Sequence, residues 1–74
     1  MDAQAWRIAE LVVEACGLID AADGVGDLEH LRHLLVVLSR ETADAEAADA
    51  ACSVIADIDR ALADLGARRA DRAA

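Results

Sequence analysis

Two apolar stripes in this chain point to nearly opposite sides of any single straight helix that would carry them both. Leu28, Leu31, Leu35 and Leu38 recur at i, i+3, i+7 and i+10, which lines one helical face. Ala51, Ile55, Ile58, Leu62 and Leu65 make a second stripe of the same kind. At about 100° per residue the two fall on opposing sides, so the chain either breaks between them or serves two partners.

The residue inventory restricts the fold to helices. There is no proline, phenylalanine or tyrosine, and no run alternates β-branched or aromatic residues with polar ones as a strand requires. Seventy-four residues make one domain, close to the smallest size at which an apolar core holds a fold unaided. Much of the 57% hydrophobic content is alanine, which adds little buried area.

The expected architecture is an all-α, three-helix up-down-up bundle with helices at about residues 3–22, 27–40 and 44–65. Residues 1–66 form the domain in this reading, and 67–74 a flexible basic tail. The seam of the first helix is Ile8, Leu11, Val12, Ala15, Leu18, Ile19 and Ala22. Its apolar arc is wide because Trp6, Ala9, Val13 and Cys16 extend it around one flank. Gly24 offers a left-handed stop and Asp27 an N-cap for the second helix, from which Val36 points away. The second joint, Ser39 to Asp44, lacks Gly and Pro, and only Thr42 and Asp44 offer caps. The competing architecture is a helical hairpin with one long second helix, dimerising into a four-helix bundle. Gly66 is read as the end of the third helix.

Net charge is −8. Residues 42–65 set Asp44, Glu46, Asp49, Asp57, Asp59 and Asp64 against Arg60 alone, so direct nucleic-acid binding is not expected. Every basic residue is arginine, which with the abundant alanine points to a GC-rich bacterial, plasmid or phage genome. No apolar run is long enough to span a membrane and no signal peptide is evident, so a cytoplasmic protein with reduced thiols is expected. Cys16 and Cys52 are read as buried small hydrophobes.

Chemistry-bearing patterns are weak. Asp27, His30 and His33 drift around a helix by about 120° and do not converge on one metal ion. The stretch from Asp20 to Glu29 places Ile19 and Ala21 where a calcium loop needs carboxylates. Ser39 and Ser53 lack a histidine at nucleophile spacing, and no Gly-rich phosphate loop is present. No catalytic residue, cofactor or metal is expected.

Trp6 is the only aromatic residue. It either plugs the end of the bundle or anchors an interface with Val13, one heptad later, and with Val36. The expected function is a small, acidic, non-enzymatic interaction module, a homodimer that binds and regulates a partner protein. The alternative is an acidic decoy inhibiting a nucleic-acid-binding enzyme, of the phage or mobile-element anti-defence kind. Its mimic surface would be Glu46, Asp49, Asp57 and Asp64.

Overall fold

A computed structural model describes residues 2–21 and 24–73. It contains three helices, α1 (Ala3–Ala21), α2 (Val25–Glu41) and α3 (Ala45–Ala73), each packed against the other two. This is the three-helix bundle expected from the stripes. The chain breaks at residues 42–44, which excludes the hairpin with one long second helix.

Each helix supplies three residues to one buried cluster: Ile8, Leu11 and Ala15; Leu28, Leu31 and Leu35; Ala51, Val54 and Ile58. The two stripes converge on this cluster because the break lets α3 turn its own apolar side inward. Ala15 and Ala51, both fully buried, keep the side chains short where helices approach.

Two boundaries differ from the sequence reading. The second helix starts at Val25, with Gly24 as its N-cap residue in the left-handed region (φ 75°, ψ 46°). Asp27 lies within the first turn, where its charge still complements the helix dipole. Ala22, the expected last residue of the first helix, lies outside the described residues, as does Asp23.

The third helix does not stop at Leu65. It continues through Gly66, which has no positive φ, to Ala73. Ala67, Arg68, Arg69 and Ala70 are strong helix formers, and no proline follows to end the run. The 29 residues of α3 span about 43 Å at 1.5 Å per residue, against about 28 Å for the 19 of α1. This overhang accounts for the long axis of 47 Å beside 17 and 15 Å.

The break at 42–44 is built from three residues, Thr42, Asp44 and Asp2. Thr42 closes α2 by donating its backbone N–H to Leu38 O at 2.9 Å. Asp44 caps α3 by accepting from Ala47 N at 3.1 Å. Asp2 then ties this joint to the start of α1. Its carboxylate accepts from Ala5 N at 2.7 Å, from Ala43 N at 2.8 Å and from the Thr42 hydroxyl at 3.0 Å. One acid thus caps α1 and holds the α2–α3 joint, some forty residues away in sequence.

The backbone N–H groups of Ala5 and then Ala43 hold the Asp2 carboxyl below its ordinary value. A depressed folded-state value means the contribution is complete above the ordinary carboxylate range near pH 4. It is lost as the pH falls through the folded value. Thermal melts followed by circular dichroism should therefore show a midpoint dropping below about pH 4. Asp2→Asn keeps an acceptor oxygen for the cap but loses the charge, so it should melt slightly lower at pH 7 and lose part of that acid slope. An unchanged acid slope in Asp2→Asn would assign the acid sensitivity to other carboxylates.

Candidate functional site

The outer side of α1 is the least covered apolar surface among the described residues. With Ile8, Leu11 and Ala15 turned inward, Trp6, Ala9, Val13 and Cys16 recur at i, i+3, i+7 and i+10 on the outward flank. Trp6 is 64% exposed and Val13 73% exposed. Trp6 is not an end-plug of the bundle.

Cys16, expected to be buried, is exposed, because it belongs to this outer stripe. Cys52 is exposed as well, since it follows buried Ala51 by 100° around α3. Both thiols are free.

Val36, expected to point outward, is half-buried. It lies one turn beyond Arg32, whose guanidinium reaches across to α3 and donates to Asp59 at 2.6 Å, so this side of α2 is covered. The exposed valine of α2 is Val37. The Arg32–Asp59 pair itself is open to water, with 42% and 51% of the two side chains exposed. Such pairs orient helices more than they stabilise them.

Cys16 also lines a groove between the C-terminal half of α1 and α3. Its apolar lining includes Ile19, Ala61 and Leu65, and charges of both signs line it as well, Asp20, Asp57 and Asp64 with Arg60 and Arg68. Cys16 is thus the residue that the stripe and the groove share. Nothing in the residue pattern marked this groove, since Ile19 and Leu65 read as ordinary core positions. A second depression between α1 and α2 gathers Glu14, Asp27 and His30. Among the described residues, no group of three His, Cys, Asp or Glu side chains is arranged to hold a metal ion. No described helix is long and apolar enough to cross a membrane.

Glu46, Asp49, Asp57 and Asp64 are all exposed on α3. Glu46, Asp57 and Asp64 align within about 20° around the helix, with Asp49 about 60° away. The acidic track is interrupted by Arg60, which lies 3.9 Å from Asp57. The accessible surface of 4825 Å² exceeds the roughly 4,400 Å² expected for a 7.8 kDa monomer, through the overhang of α3 and the uncovered side of α1.

Comparison with protein-family models, with curated proteins and with solved structures finds no match.

Proposed function

We propose that this chain is a non-enzymatic protein-interaction module, acting in the cytoplasm as a homodimer that binds and regulates a partner protein. Its contact surface is the outward side of α1. The observation that carries this reading is the exposure of Trp6 and Val13 on one stripe. Contiguous exposed apolar patches mark interaction sites, and tryptophan is enriched where interfaces are tightest. A net charge of −8 works against binding to phosphate backbones and to anionic membrane surfaces. The uncovered apolar stripe favours this reading over the acidic decoy, whose aligned carboxylates on α3 are accompanied by Arg60, 3.9 Å from Asp57.

Light scattering at high micromolar concentration tests it. The expected mass is well above the 7.8 kDa of one chain, and it holds from low to high salt, as an apolar contact does. A single-chain mass under those conditions would remove the self-association from the reading.

A further inference from the structure

Resting on the reading that the outward side of α1 is the contact surface, we infer that Asp2 and Thr42 are positioning residues for Trp6, and that the α2–α3 joint keeps in order the turn that presents the indole. The first turn of α1 closes on Asp2. Its backbone O accepts from Trp6 N at 3.1 Å, and its carboxylate accepts from Ala5 N at 2.7 Å. The first turn of a helix frays unless something ties it down. The core does little of this work. Its first large side chain on α1 is Ile8, and among the described residues before that only Ala5 is buried, which adds a single methyl group.

The tie comes from the joint, which engages both carboxylate oxygens of Asp2. Oδ2 accepts from Ala43 N at 2.8 Å, and the Thr42 hydroxyl lies 3.0 Å from Oδ1 and 3.1 Å from Oδ2. The same hydroxyl accepts from Asp44 N at 3.1 Å, which leaves its own proton for Asp2. A chain of hydrogen bonds therefore runs from the start of α3 through Thr42 and Asp2 to the backbone of Ala5 and Trp6. Bonds to an ionised carboxylate are the stronger kind, and donors from two segments fix its orientation as well as its place. With the turn fixed, Trp6 stays on one stripe with Val13. An anchor that is ordered before contact spares the association the entropy of ordering it. The joint thus acts on the contact surface without belonging to it.

Order and association are measured separately. Thr42→Val with Ala43→Pro cuts the tie from the joint's side and leaves Asp2 its cap on Ala5. Thr42 already has the extended backbone (φ −70°, ψ 141°) that a residue before proline adopts. A Val13→Asp background sets a charge in the stripe and keeps copies apart. There, nitrogen-15 relaxation should give the Trp6 N–H an order parameter of about 0.85 with the joint intact and below about 0.6 with the tie cut. Thr42→Ser, which retains the hydroxyl, should keep the higher value, and Thr42→Val alone should lower it should the proline variant lose helicity. With Val13 in place, the cut variant should need roughly tenfold more protein to reach the parent's mass in light scattering. Trp6 order indifferent to the cut would overturn the inference, and so would order lost with association unchanged. Order lost on cutting in a protein whose parent scatters as a single chain would overturn the contact-surface reading, while the tie between the joint and Trp6 stands.

Discussion

Leu35→Ala is expected to unfold much of the population at physiological temperature. Leu35 is fully buried in the cluster to which α1, α2 and α3 each contribute three residues. Removing a buried leucine side chain to the β-carbon costs about 2–5 kcal/mol, with the higher values where neighbours cannot close the cavity. A domain of this size has about 4–10 kcal/mol in total, so one such loss consumes a large share of it. The thermal midpoint should fall by about 10–25 °C, read by far-ultraviolet circular dichroism. Val37→Ala, two residues later on the same helix, removes a partly exposed side chain and should move the midpoint by about 4 °C or less. Equal effects at the two positions would mean that α2 does not present the face described here to the core.

The second large effect concerns assembly and leaves the fold intact. Trp6→Ala with Val13→Asp deletes the largest exposed apolar side chain and places a carboxylate at the centre of the α1 stripe. Truncating an interface tryptophan commonly costs 2 kcal/mol or more, roughly a thirtyfold loss of affinity, and a charge in an apolar seam adds to it. The double variant should scatter light as a single chain at concentrations where the unaltered protein does not. Both residues are exposed in the bundle, so its melting curve at low concentration should stay close to that of the parent. A variant that loses helicity would show instead that Trp6 and Val13 support the bundle itself.

The core was readable because leucine and isoleucine repeat with helical period over short, uninterrupted stretches. Leu28, Leu31, Leu35, Ala51 and Ile58 fell on predicted seams and are buried. The break between α2 and α3 was readable chiefly from phase, with Thr42 and Asp44 as its local caps. The tie from Asp2 was not readable, because it reaches Thr42 and Ala43 through space and no periodicity links them. The end of α3 was misplaced because glycine is ambiguous: it closes many helices in the left-handed conformation and is tolerated inside others. Gly66 takes the second role, in a run where alanine and arginine carry the helix past it. Of the candidate interface residues, Trp6 and Val13 stand together on α1, whereas Val36 is set apart by the packing of α2 against α3. Which side of a helix its neighbours cover depends on how the bundle closes, and the wide apolar arc of α1 left that choice open.

Covering of the α1 stripe by protein can be read from the lone indole itself. With no other aromatic residue in the chain, tryptophan emission reports Trp6 alone. As concentration rises from nanomolar to high micromolar, the emission should shift to the blue and become shielded from acrylamide, in step with the increase in mass. Emission that stays red and freely quenched across that range would contradict the account, for it would leave Trp6 in water at every concentration.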